Sequence, residues 1–142
     1  MITGAATIAG VVGWPVAHSL SPLIHNAWIE ALGLDAAYVP FAVEPERFAS
    51  FVSSARGGSW LSGLNVTLPH KTVAMQYADG WSVEVEWAGA ANVLLFGRGS
   101  VHAENTDGAG LFEAFREQAP GRLLAGPVLI VGAGGAAQGA VG

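Results

Sequence analysis

The chain has 142 residues, a formal net charge of −5 and no cysteine, which excludes disulfides and thiolate metal sites. Its six basic side chains are scattered rather than clustered, which excludes a general nucleic-acid binder, because phosphate contacts need grouped Lys and Arg. Apolar residues make up 51% and charged residues only 12%, enough to bury a core, yet no apolar run approaches the ~20 residues of a membrane helix. The opening MITGAATIAGVVGW lacks the basic stretch of a signal peptide, so a cytoplasmic chain with no membrane partner is expected.

Taken in order, Thr7–Val12 is a short apolar run ending at Gly13 and reads as a buried strand. Ser21-Pro22 then opens a helix, with Ser21 as cap and Pro22 at the first helical position. Ile24, Ala27, Trp28 and Ala31 recur at helical spacing, and Gly33 is a stop. Ala37–Val43 is a second strand. Pro45 begins a second helix with Phe48, Phe51 and Val52 on one face and Gly57-Gly58 at its end. Leu61–Val66 is a third strand, followed by a helix from about Pro69 to Tyr77 and a short one over Val83–Ala88. Ala91–Phe96 and Ser100–Ala103 flank a Gly97-Arg98-Gly99 turn, a hairpin signature. Asp107–Gln118 is amphipathic, with Leu111, Phe112 and Phe115 expected inward. Pro127–Val131 reads as a buried strand running into Gly132-Ala133-Gly134-Gly135.

Alternating strands and helices predict an α/β fold: a mostly parallel sheet with flanking helices and one antiparallel hairpin. The first strand and glycine turn of a truncated Rossmann domain are expected to follow. The expected division is residues 1–106 as one domain, 107–125 as connector helix and linker, and 126–142 as the start of a second domain. A strand, a glycine turn and a helix are the context of a dinucleotide fingerprint, in which glycines let the backbone approach a pyrophosphate. A tight turn in an Ala/Gly-rich segment would look the same. The ribose-reading side chain of such a site comes roughly 20 residues later, beyond Gly142, so the chain is expected to be incomplete or unable to hold a cofactor firmly.

Three polar clusters fall at expected strand ends, where open α/β sheets place ligands. In GWPVAHSLSPLIHN, Ser19 and Ser21 stand at a helix start and could meet a carboxylate, or Ser21 could simply cap. His18 and His25 have no neighbouring carboxylate or thiol, so packing is favoured over metal binding and no metal site is expected. In GLNVTLPHK, Asn65 and Thr67 straddle Val66 and share one side of a strand end. Lys71, the only lysine, follows in the first helical turn, where the macrodipole disfavours a cation. It is either a surface residue or one kept for lysine-specific proton chemistry. In ENTDGAG, Asp107 could cap the connector helix or face Lys71 across a cleft; a helix-starting aspartate can do both.

In this order, the segments GWPVAHSLSPLIHN, GLNVTLPHK, GAANVL, ENTDGAG and VGAGGAA resemble the shikimate dehydrogenase family, over essentially the whole chain. The resemblance implies NADP-dependent reversible reduction of 3-dehydroshikimate to shikimate, in aromatic amino acid biosynthesis. It implies that Ser19 and Ser21 bind the substrate carboxylate, that Lys71 and Asp107 form the catalytic pair, and that Thr67 and Asn92 bond the ring hydroxyls with Asn65 in support. It places the cofactor pyrophosphate on Gly132, Gly134, Gly135 and Ala136, and it allows a homodimer. Val93 stands where threonine commonly follows the asparagine, and Gln138 where arginine is common. Two other readings remain open: a quinate/shikimate dehydrogenase using NAD, and a non-catalytic shikimate-binding fragment without a cofactor domain. A folate one-carbon reductase shares the broad architecture, but the paired serines favour a small carboxylic acid.

Overall fold

A computed structural model describes residues 2–58, 60–121 and 126–141. The strands are β1 (Thr7–Gly13), β2 (Ala36–Ala42), β3 (Gly63–Val66), β4 (Gly80–Trp81), β5 (Val93–Gly97) and β6 (Ser100–Glu104). The helices are α1 (Ser21–Ala31), α2 (Pro45–Gly58), α3 (Lys71–Ala74), α4 (Val83–Ala88), α5 (Asp107–Gln118) and α6 (Gly135–Val141). The strands form one sheet in the order β2-β1-β3-β5-β6-β4. β1 runs parallel to β2 and β3, while β5 is antiparallel to both β3 and β6. The α/β fold with one reversed strand is therefore as expected. The two-residue strand β4, beside β6, is an addition too short to carry a sequence signal.

The consecutive valines of β1 show that the sheet is covered on both sides at this strand. Neighbouring residues of a strand point to opposite faces. Val12 enters a core with Leu64, Val66, Leu94, Phe48, Val52 and Val85, which joins α2 and α4 to the sheet. Val11 packs on the other face with Val16 and Tyr38, against Ile29 of α1. Near-continuous apolar strands of this kind are what a parallel sheet with two covered faces requires. Gly10 is set by packing: a Cβ there would lie 2.1 Å from the Val39 carbonyl oxygen and 2.6 Å from the Phe41 ring.

Three sequence expectations are corrected. Ile24 and Trp28 do not face the core but are 45% and 57% exposed. α1 instead presents Ile29 to the core and His25 to the Tyr38 ring. A weakly amphipathic segment cannot fix its own rotation; the hydrogen bonds between the Asn26 amide and the backbone of Tyr38 do so. On α5, Leu111, Phe112 and Phe115 are all exposed, because this helix packs on α6 rather than on the sheet. Residues 127–131 have no ladder partner among the described residues, and Val128, Leu129 and Val131 are exposed. A strand cannot satisfy its N–H and C=O groups without a neighbour. The linker residues 122–125 lie outside the described residues.

Candidate active site

Register brings the polar clusters to one edge of the sheet. Val12 of β1 pairs with Val66 of β3, and Asn65 pairs with Val93 at the start of β5. Val93 in turn pairs with Glu104 at the end of β6. The segments after β1, after β3, before β5 and after β6 therefore emerge side by side, although they span residues 13 to 107. The first two are in contact: the Trp14 N–H donates to the Leu68 carbonyl at 3.0 Å. A Cβ on Gly13 would lie 2.5 Å from Thr67 Cγ2.

Lys71 and Asp107 meet there. Lys71 begins α3 and Asp107 begins α5. The Lys71 Nζ donates to Asp107 Oδ2 at 2.5 Å, with side chains only 15% and 25% exposed. Asn92 Nδ2 donates to the other carboxylate oxygen at 2.8 Å. Asn92 is itself fixed, since its Oδ1 accepts from the Thr106 N–H at 3.0 Å and its own N–H donates to the Glu104 carbonyl. The Lys71 carbonyl accepts from the Ala91 N–H at 2.9 Å, tying α3 to the segment before β5. The carboxylate is thus held by a cation, by an amide and by the positive end of a 12-residue helix.

Asp107 does not cap α5. Its own N–H donates to Asn105 Oδ1 at 2.9 Å, while Asn105 Nδ2 donates to the Ala90 carbonyl at 2.8 Å. Asn105 is buried, and by taking over the capping role it leaves the Asp107 carboxylate available to Lys71 and Asn92. Asn105 was missed as a functional residue, yet an asparagine two residues before a helix start is an Asx-turn signal that sequence could have revealed.

The serines occupy the neighbouring segment. Ser21 is already helical rather than a cap, and its N–H donates to Ser19 Oγ at 3.3 Å. Capping falls to Ser19, because the turn from Val16 brings its hydroxyl beneath the helix start; the Ser19 N–H bonds the Val16 carbonyl. No direct hydrogen bond joins either serine to Lys71 among the described residues. Tyr38 reaches Asn65 from β2, its O–H donating to Asn65 Oδ1 at 2.5 Å. Tyr38 was also missed, because 27 residues separate it from Asn65. Thr67 is half-buried at the β3 end, its N–H donating to Val12 and its carbonyl accepting from His70. The Asn65 Nδ2 and the Thr67 hydroxyl make no hydrogen bond among the described residues, so both can serve a ligand.

Two histidines, His70 and His25, do packing work, whereas His18 is exposed. His70 is 1% exposed, stacks on Phe48 and donates from Nε2 to the Val43 carbonyl at 2.8 Å. Burial lowers its pKa, and the Val43 carbonyl opposes that. His25 stacks on Tyr38 with ring centroids 4.1 Å apart. Among the described residues no cluster of three His, Cys, Asp or Glu could hold a metal, and no helix is long and apolar enough to cross a membrane.

None of the five main cavities is lined by Ser19, Ser21 or Lys71. The serines and the Lys71–Asp107 pair lie along an open edge. The largest cavity, about 760 Å³, lies between α4 and the glycine turn, lined by Trp87, Gly89, Ile130, Gly132 and Gln138 among others. Gly132 has φ +137°, which side chains rarely adopt, and Gly134 has nothing within 4 Å of where a Cβ would stand. Gly135 and Ala136 begin α6. These features fit the pyrophosphate turn of a dinucleotide site. α6 rests on the active-site edge itself, since a Cβ on Gly108 would lie 2.4 Å from the Gly139 carbonyl oxygen.

Residues 11–94 match the model of the shikimate dehydrogenase substrate binding domain. The chain is 59% identical over 142 residues to the shikimate dehydrogenase (NADP(+)) of Caulobacter vibrioides, covering 99% of this chain and 50% of the relative. Among solved structures, the shikimate 5-dehydrogenase of Thermus thermophilus in complex with shikimate superposes with a TM-score of 0.86. It is 36% identical, with 94% of this chain and 50% of that one covered. A shikimate dehydrogenase in complex with NADP+ gives a TM-score of 0.87 at 34% identity, over 99% of this chain and 48% of that one. The chain spans about half the length of the relatives it matches. With the family model covering more than half of its residues and the fold and clusters in agreement, this chain belongs to the shikimate dehydrogenase substrate binding domain family.

Proposed function

We propose that this chain is the substrate-binding part of an NADP-dependent shikimate dehydrogenase, in which Lys71 and Asp107 move the proton that accompanies hydride transfer. The observation that carries the reading is the 2.5 Å contact between Lys71 Nζ and Asp107 Oδ2, with Asn92 holding the second carboxylate oxygen. In the reducing direction, the Lys71 ammonium gives a proton to the oxygen of 3-dehydroshikimate as the carbonyl carbon is reduced. In the oxidising direction, the Lys71 amine takes the hydroxyl proton of shikimate. Asp107 holds Lys71 in place and accepts from an adjacent ring hydroxyl. Ser19 and Ser21 bind the substrate carboxylate through hydroxyl donors, and Asn65, Thr67 and Asn92 bond the ring hydroxyls. Gly132, Gly134, Gly135 and Ala136 would hold the pyrophosphate of NADP, which supplies or accepts the hydride when bound. The division into residues 1–106, 107–125 and 126–142 belongs to the same proposal, as do a cytoplasmic location and a homodimer. Sedimentation velocity reads the last directly, and a monomer mass overturns it.

The test has two arms. Calorimetric titration of this chain with shikimate gives saturable binding, and the full-length enzyme, with its cofactor domain, gives the absorbance of NADPH from NADP+ and shikimate. Lys71→Ala cuts that turnover by at least about a hundredfold and weakens shikimate binding less than about tenfold. Turnover near the unsubstituted level removes Lys71 from the mechanism. The unpaired segment 127–131 favours a second reading, a chain that binds shikimate without reducing anything. Binding with no turnover under any nicotinamide cofactor selects it. Turnover with NAD+ in preference to NADP+ selects instead a quinate/shikimate dehydrogenase.

A further inference from the structure

Tyr38 lies outside the five segments that carry the resemblance, on a strand that contributes nothing else to the site. It is nevertheless among the most constrained polar side chains of the described residues. It is 5% exposed. Its backbone is clamped on both sides by Asn26 of α1: the Tyr38 N–H donates to Asn26 Oδ1 at 3.0 Å, and Asn26 Nδ2 donates to the Tyr38 carbonyl at 2.8 Å. Its ring is stacked on His25, nearly parallel at 4°. Register then decides where the phenol goes. Tyr38 pairs with Ala9, which also pairs with Gly63, so Tyr38 lies on the Asn65 face, one strand removed and two residues below. The phenol spans that gap and donates to Asn65 Oδ1 at 2.5 Å.

The direction of this hydrogen bond matters. A phenol can donate to the amide oxygen or accept from the amide nitrogen. Here the phenol donates, and within the Asn65 amide only Oδ1 can accept. The amide is pinned with its oxygen on the phenol, which leaves Nδ2 as its free donor. Burial pushes the Tyr38 phenol up to about 12, so that its proton is present throughout the physiological range.

We propose that Tyr38 is a positioning residue: through one hydrogen bond it locks the Asn65 amide with Nδ2 presented as a donor to a ligand oxygen. His25 and Asn26, which the resemblance leaves without a role, hold Tyr38 in place. The inference rests on the reading of Asn65 as a substrate-binding residue.

A double-mutant cycle on the 142-residue chain tests it, with shikimate affinity read by calorimetry. Tyr38→Phe keeps the ring and removes only the O–H. It weakens shikimate binding about five- to tenfold, the worth of one well-placed hydrogen bond. In an Asn65→Ala background the same substitution has no further effect. Equal weakening in both backgrounds, or none in either, overturns the proposal. The Asn65 side-chain amide signal in a nitrogen–proton correlation spectrum supplies a readout free of ligand. Tyr38→Phe shifts and broadens it, whereas an unmoved signal overturns the lock. If the unsubstituted chain does not bind shikimate, the functional reading fails, and the amide signal alone decides whether Tyr38 holds Asn65.

Discussion

At the scale of single residues, burial and partners decide what each polar group can do. Lys71 and Asn105 show two outcomes: Lys71 is only partly screened and faces a carboxylate, whereas Asn105 is buried with both ends of its amide occupied. His70 shows a third, a titratable group kept neutral. Its folded pKa lies below the ordinary value of 6.5 because burial disfavours the imidazolium. A depressed pKa means that the unfolded chain takes up the proton first as pH falls. The stability linked to His70 is therefore present above about pH 6.5 and lost as pH falls toward the folded value. Thermal melts between neutral and mildly acidic pH should show a falling midpoint. His70→Gln, which keeps a donor for the Val43 carbonyl, should flatten that dependence. Tyr38 gives the opposite sign: its raised pKa contributes stability below about pH 10 that is lost as pH rises toward about 12.

At the scale of elements, two features are fixed by packing rather than by propensity. The start of α5 depends on a cap that comes from outside the helix. Asn105→Ala leaves the Asp107 N–H and the buried Ala90 carbonyl without their partner, at a cost of about 1–3 kcal/mol. Denaturant unfolding measures it, and Asn105→Asp should recover the α5 contact alone. The β1–β2 ladder depends on Gly10, where any Cβ meets the Val39 carbonyl and the Phe41 ring. Gly10→Ala forces those strands apart and should cost about 1–3 kcal/mol. Because Tyr38 stands on the displaced strand, shikimate affinity should fall as well. Unchanged stability would show that β2 has room to move.

At the scale of the whole molecule, the chain is unevenly organised. The strands between residues 7 and 104 share one sheet with a buried core, whereas residues 127–131 present apolar side chains with no strand beside them among the described residues. Leu94, fully buried at the centre of the sheet, should cost about 2–5 kcal/mol on truncation to alanine. Val131, 91% exposed, should tolerate serine within about 0.5 kcal/mol. Comparable losses from the two changes in calorimetry would mean that residues 127–131 are covered in solution.

Much of this was legible in the sequence, because it rests on local rules. Apolar runs broken by Gly and Pro gave the strands and helices, the Gly97-Arg98-Gly99 turn gave the hairpin, and the motif order gave the family. Lys71 and Asp107 stood out as a lysine and an aspartate, each opening a helix. What only tertiary structure decided are facts about rotation and reach. Which face of α1 turns inward, whether Asp107 or Asn105 caps α5, and the link from Tyr38 to Asn65 all depend on partners remote in sequence or on which neighbour arrives first. Hydrophobic period reports that a residue is apolar, but not what stands opposite it; that is set when strands of fixed register bring remote side chains within hydrogen-bonding distance.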